Sequence, residues 1–179
     1  GQLSEAKMQI EKAMQFEPNN AQVKQELQKI EQIRAHVASG QQFLDSEQYQ
    51  QALAQFQCAE DLAPMSTRIK LYKLEAKLGL GEFDLVAKEA GYVLRDEDAN
   101  NSEAYYLRGK ALYYSGSVDN GLKHITNALQ LDPDNNKCLQ FRKLLKRSEA
   151  LKEEGNDLFK NSKFQEAYDK YTEAIGNDP

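Results

Sequence analysis

No tryptophan occurs among the 179 residues, and cysteine, histidine and proline are scarce, at two, two and four. Each shortage removes a class of architecture. Cys58 and Cys138 lie far apart in the chain, with no Cys-x-x-Cys and no histidine at ligand spacing, so neither a disulfide framework nor a structural zinc site is indicated. That usage fits a reducing compartment, the cytoplasm or the nucleus. No apolar run approaches the roughly twenty residues a membrane helix requires, and the first residues lack the charged-then-apolar pattern of a secretory leader. Cations are outnumbered by anions, 23 to 28, for a net charge of −5. A general nucleic-acid binder needs a clustered Lys/Arg footprint, which this balance does not supply.

What the chain does hold is Ala, Leu, Gln, Glu and Lys in abundance, a composition that favours helix over sheet. It also repeats itself. Gly40, Tyr49, Ala52, Phe56, Ala59 and Pro64 recur with identical internal spacing as Gly155, Phe164, Ala167, Tyr171, Ala174 and Pro179. Gly109, Val118, Gly121, Ile125, Ala128 and Pro133 follow the same pattern with glycine in an alanine slot. Leu74, Phe83, Val86, Ala90 and Val93 follow it more loosely. Small residues let two helices approach, a large one fills the space between neighbours, and proline stops the second helix.

These positions resemble the tetratricopeptide repeat, a helix pair of about 34 residues ending near a proline. The resemblance implies an all-α solenoid of antiparallel helix pairs wound into a right-handed superhelix. Repeats begin at 33, 67 and 102, and then at 148. Before the first and before the last, extra segments intervene at Ala21–Gln32 and Asn136–Arg147. Neither contains Gly or Pro, and each follows a Pro-Asn-Asn or Pro-Asp-Asn-Asn capping segment. Two long helices are therefore predicted, at 19–45 and 135–161. The expected organisation is the second helix of an upstream repeat at 1–18, marked by Ala6, Ile10, Ala13 and Pro18, then a three-repeat block at 19–135 entered by a long helix. A linking helix and the first repeat of a further block occupy 136–179. The chain is expected to be part of a longer protein, and an open last repeat is expected to permit end-to-end pairing of copies.

Chemistry is not indicated. His36 takes a first-helix slot expected to pack, and His124 lies between charged and polar neighbours on a second helix. Gly79-Leu80-Gly81 lacks the Lys-Ser/Thr ending of a phosphate loop, and Arg95-Asp96-Glu97-Asp98 lacks the alternating ligands of a calcium loop. Both read as turns. No catalytic residue, metal site or cofactor is expected.

The segment Leu151-Lys152-Glu153-Glu154-Gly155-Asn156-Asp157-Leu158-Phe159 resembles the opening of clamp-type tetratricopeptide domains in chaperone adaptors. In that family a Lys and an Asn one turn apart help hold the carboxylates of an extended Glu-Glu-Val-Asp tail, and the matching residues here are Lys152 and Asn156. Four residues apart, they share one helical face. The family takes its remaining clamp residues from the next two repeats. At the equivalent places in the central block stand Val37, Gln41, Tyr72, Glu103 and Leu107, which do not match, so that block is not expected to bind such tails. Tyr72, Tyr106 and Tyr113 with Lys110 form a candidate peptide groove, with packing between repeats as the alternative. The second linking helix carries Lys137, Arg142, Lys143, Lys146, Arg147 and Lys152 near only Glu149, a solvated basic face suited to steering acidic tails.

The arrangement as a whole is similar to the repeat region of co-chaperones of the DnaJ subfamily C type, which end in a J-domain. That similarity implies a scaffold binding the C-terminal tails of Hsp70- and Hsp90-type chaperones, with the central block spacing two tail-binding blocks. The His-Pro-Asp signature of a J-domain does not occur in these residues. A scaffold for an unrelated assembly, or an appendage to an enzyme, stays open as the alternative.

Overall fold

The computed structural model describes residues 20–176 together with Met8, Gln9 and Lys12. The helix expected at 1–18 lies almost wholly outside the described residues, as does Pro179. All regular elements among the described residues are helical. In chain order they are α1 (Ala21–Asp45), α2 (Tyr49–Leu62), α3 (Thr67–Gly79), α4 (Phe83–Tyr92), α5 (Ser102–Tyr114), α6 (Val118–Leu131), α7 (Asn136–Lys160) and α8 (Phe164–Gly176), with a π turn, Val93–Glu97, after α4.

The two breaker-free segments do form long helices. α1 and α7 are 25 residues each, about 37 Å at 1.5 Å per residue. Asparagine starts both. Asn20 Oδ1 accepts from the amides of Gln22 and Val23, and Asn135 Oδ1 accepts from the amide of Cys138, satisfying donors that have no partner within the first turn. Asn101 caps α5 in the same way through Ala104.

The helix pairs turn through one recurring device. Glu47, Gly81, Gly116 and Ser162 all have positive φ, at 57°, 79°, 88° and 61°. Each is followed by an amide that reaches back to the preceding helix: Gln48 to Phe43 O, Glu82 to Lys77 O, Ser117 to Leu112 O and Lys163 to Leu158 O. This is the left-handed closure that satisfies the last carbonyls of a helix. The four positions fall 34, 35 and 46 residues apart, the period of the sequence repeat.

The one 35-residue step contains the π turn, in which the Asp98 amide bonds Val93 O five residues back. A π turn absorbs one extra residue without interrupting the helix. No proline stands where Pro64 and Pro133 end the neighbouring repeats, so the helix runs on until Asp98 turns extended, at φ −152°.

The chain divides into two compact units between Ala99 and Asn100. The first holds α1–α4. Ile33, Ala59 and Ile69 form one core cluster with Val37 and Leu62 against it, and Ala52, Phe56 and Ala76 form another with Phe43, Leu44, Leu53 and Tyr72. The second holds α5–α8. The division falls inside the span expected as a three-repeat block, and α7 packs on α6 and α8 within the second unit.

Small-to-large complementarity sets the helix spacing within a pair. A Cβ on Gly155 would sit 2.7 Å from the ring of Tyr171, and one on Gly109 would sit 2.9 Å from Ile125. Gly40 meets Phe56 in the same way.

Candidate peptide-binding site

Two buried seams run along α7. Cys138, Phe141 and Leu145 are spaced three and four residues apart and therefore share one face. Leu151 and Gly155 are buried on another, since six residues from Leu145 to Leu151 turn the helix by about 240°. Continued at the same spacing, the first seam reaches Ser148, Glu149, Lys152 and Asn156. Ser148, Glu149 and Lys152 line a crevice with Tyr113, Val118 and Leu122 at the end of the α5–α6 pair. The pattern places the two clamp-type residues on a face that is buried earlier in the helix and solvated here.

Lys152 is exposed, and among the described residues it has no ion-pair partner. Asn156 is half-buried. The Tyr171 hydroxyl donates to its Oδ1 at 2.8 Å, and its Nδ2 lies 3.4 Å from Glu153 Oε1. With the oxygen taken by Tyr171, the amide is left as a donor, and one of its N–H groups is directed at Glu153. Neighbouring charges are engaged elsewhere: Glu154 pairs with Lys170 at 2.7 Å, and Lys160 with Asp157 at 3.2 Å.

The lysines of α3 differ. Lys73 pairs with Glu60 at 2.5 Å, Lys70 with Glu97 at 2.5 Å, and Lys77 with both carboxylate oxygens of Glu89. All three pairs are partly shielded, and they leave this face of the first unit electrostatically closed. Of the central-block residues standing at clamp-equivalent places, Val37 packs in the core and Leu107 is fully buried.

The candidate groove residues fall in both units. Tyr72 belongs to the first unit, where it stacks on Phe56 at 5.3 Å and its hydroxyl accepts from Arg68 Nε. Tyr106, Lys110 and Tyr113 gather in the second unit around Phe141. The rings of Tyr106 and Tyr113 meet it edge-on at 6.3 and 5.8 Å, and the Lys110 ammonium lies 5.4 Å from its centroid. Tyr106 is buried, whereas Tyr113 is half-exposed. Phe141 was not singled out from the sequence because it sits in the inserted segment. Its signal was the Cys138–Phe141–Leu145 spacing. Of the basic face on α7, Lys143 and Lys146 are exposed, while Arg147 reaches Glu173 at 3.3 Å.

The remaining titratable groups serve the fold. His36 Nδ1 lies 2.9 Å from Gln55 Oε1, and His124 Nδ1 3.0 Å from Asn120 O. Burial pushes the Cys138 thiol up to about 11. In the acidic run, Asp96 takes a two-point bond from Arg95, and Glu97 accepts from Thr67 and Lys70. Gly81 lies in the α3–α4 turn.

Residues 102–135, which are α5 and α6, match the tetratricopeptide repeat family. The chain contains a tetratricopeptide repeat. It is 29% identical over 170 residues to DnaJ homolog subfamily C member 7 from Homo sapiens, covering 95% of this chain and 34% of that protein. A DnaJ homolog subfamily C member 7 homolog from Schizosaccharomyces pombe is 39% identical over 107 residues, covering 60% of this chain and 22% of that protein. The DnaJ protein P58IPK homolog of Arabidopsis thaliana is 26% identical over 174 residues, 94% of this chain and 35% of that protein. The chain thus spans about a third of the length of the curated relatives it matches. Among solved structures, MamA 41-end from Desulfovibrio magneticus RS-1 aligns with a TM-score of 0.46 at 17% identity, over 99% of this chain and 86% of that one. Among the described residues the fold is all-helical, of the tetratricopeptide-repeat type, and the chain is similar to DnaJ-type proteins over nearly its whole length.

Proposed function

We propose that this chain is a non-enzymatic scaffold of a cytoplasmic co-chaperone, and that Lys152 and Asn156 form the first part of a site for the C-terminal carboxylate of an acidic tail of Hsp70 or Hsp90 type. The observation that carries the reading is the pairing of an unneutralised ammonium at Lys152 with an amide at Asn156 whose oxygen is held by Tyr171. Such a pair offers charge-assisted donors to a carboxylate. The neutralised lysines of α3 favour a spacing role for the first unit over a second anion site. Exposed Lys143 and Lys146 would speed the approach of an acidic tail and lose that effect as salt rises.

A fluorescence titration of a labelled Glu-Glu-Val-Asp peptide against the full-length protein tests this. Saturable binding that Lys152→Ala abolishes supports the clamp. Binding that is indifferent to Lys152→Ala and to amidation of the peptide's C-terminus removes it, and leaves a scaffold for a different assembly.

A further inference from the structure

Two positions recur in every helix pair, one directly before Gly40, Leu74, Gly109 and Gly155 and one directly before Phe56, Ala90, Ile125 and Tyr171. In α7–α8 they hold Glu154 and Lys170, which pair at 2.7 Å. In α3–α4 the second of them is Glu89, which takes Lys77 at 2.7 Å, and in α1–α2 it is Gln55, which meets His36 Nδ1 at 2.9 Å. The α5–α6 pair departs from this complementarity. There the two positions hold Arg108 and His124, and neither has an ion-pair partner among the described residues. Arg108 is half-buried, and its Nε is shut off from solvent without a hydrogen-bond acceptor. A shielded donor on a charged group is costly when nothing accepts from it. We infer that Arg108 and His124 form a binding site for a side-chain carboxylate of a protein partner, which supplies the acid that this helix pair lacks.

Place, charge and geometry define the occupant. Arg108 is two residues from both Tyr106 and Lys110, about 200° around α5, so it lies on the side of the helix away from the Phe141 cluster and from the seam that leads to Lys152. The site is therefore separate from Lys152 and Asn156 and does not rest on their reading. Arg108 is close enough to act on His124 and to disfavour its imidazolium form, so the pair repels a cation and attracts an anion. The imidazole is fixed beside α5 by the Tyr105 ring at 5.7 Å and by the contact of Nδ1 with Asn120 O at 3.0 Å. A guanidinium offers its N–H groups in a planar fork that fits the two oxygens of one carboxylate. Glutamate carries the acid at the equivalent contacts in two other pairs, as Glu154 and as Glu89, so the space between these positions suits a carboxylate borne on a side chain.

The test uses the full-length protein and an eight-residue peptide of Gly and Ser with one central Glu, acetylated and amidated so that it carries no terminal carboxylate. Binding is followed by the amide resonances of α5 and α6. The Glu peptide is expected to shift them saturably, and the same peptide with Gln in place of Glu to leave them unmoved. Arg108→Gln should weaken the Glu peptide about tenfold. His124→Glu supplies the acid from within the chain. It should exclude the peptide and raise the thermal midpoint by about 1–3 °C, a gain that vanishes when Arg108→Gln is added. Equal shifts by the Glu and Gln peptides overturn the site, as does binding that Lys152→Ala removes and Arg108→Gln leaves intact. A His124→Glu gain that persists without Arg108 would overturn it too, since the two side chains would then share no anion. Saturation by inorganic phosphate at lower concentration than by the Glu peptide would replace the carboxylate by phosphate as occupant.

Discussion

The Tyr171 hydroxyl bonds the side-chain oxygen of Asn156 at 2.8 Å, and the Tyr171 ring lies against Gly155, the residue before it. One aromatic side chain thus closes the space between α7 and α8 and sets the direction in which an amide on the solvated face points. The functions separate by mutation. Tyr171→Phe keeps the ring and should cost roughly 1 kcal/mol of stability, the net worth of one hydrogen bond. It should also weaken capture of a carboxylate tail by freeing the amide to turn. Gly155→Ala should destabilise by about 1–3 kcal/mol through overpacking, a cost that exceeds the gain of up to about 1 kcal/mol in helix propensity. Urea unfolding measures both, and the Asn156 side-chain amide resonance should shift in Tyr171→Phe. An unshifted resonance would show that the hydroxyl does not orient the amide.

The turns make a paired prediction. Glu47 and Ser162 adopt left-handed backbone that costs a non-glycine residue roughly 1 kcal/mol, whereas Gly81 and Gly116 adopt it without strain. Glu47→Gly and Ser162→Gly should therefore raise stability slightly, the relief in the fold being partly offset by greater freedom of the unfolded chain. Gly81→Ala and Gly116→Ala should lower it by about 1 kcal/mol. Midpoints of denaturant unfolding decide the matter, and equal signs for the two pairs would contradict it.

The thiols differ in reactivity for a physical reason. Cys58 is exposed, whereas Cys138 is fully buried with its thiol pushed up to about 11. A thiol reagent at neutral pH should label one cysteine per folded chain and two after unfolding, since the thiolate is the reactive species. The raised value also means that the folded state holds the Cys138 proton more tightly than the unfolded chain. Its contribution to stability is present below pH 9 and falls as pH rises from there through about 11.

Much of this was legible in the sequence. The 34-, 35- and 46-residue steps between repeats reappear as the steps between left-handed turn residues, because the same helix-pair geometry dictates both. The long helices were visible as breaker-free insertions behind asparagine caps. Packing across the α5–α7 contact was not visible, because Phe141 gathers Tyr106, Tyr113 and Lys110 from more than one turn of a different helix. A linear spacing rule finds faces, not their partners. Nor did the sequence distinguish Lys152 from Lys73, since the distinction lies in Glu60, brought to Lys73 by the fold.

His124 gives a pH dependence. Burial holds its protonation below the ordinary 6.5, against a hydrogen bond to Asn120 O that favours the charged form, with Arg108 adding to the depression. The unfolded chain then binds more protons below pH 6.5, so stability should fall as pH drops from 6.5 through the lower folded value. His124→Gln should flatten that part of the curve. Thermal midpoints of the two proteins between pH 7.5 and 5 provide the comparison, and parallel curves would mean that the imidazole titrates as it does in water.

The looseness of the second repeat has a specific origin. In three repeats a glycine on the first helix stands sixteen residues before a large side chain on the second: Gly40 and Phe56, Gly109 and Ile125, Gly155 and Tyr171. In the second repeat the sizes are exchanged, with Leu74 on α3 and Ala90 on α4, both buried. If volume is what is conserved at this contact, Leu74→Ala should cost about 2–5 kcal/mol by leaving a cavity, and Ala90→Phe alone should cost about 1–3 kcal/mol by overpacking. Combining Leu74→Gly with Ala90→Phe restores the arrangement of the other three repeats and should be more stable than the sum of its single changes by at least about 1 kcal/mol. Strict additivity in that cycle would show that the two positions do not share space, and that the exchange of sizes is incidental.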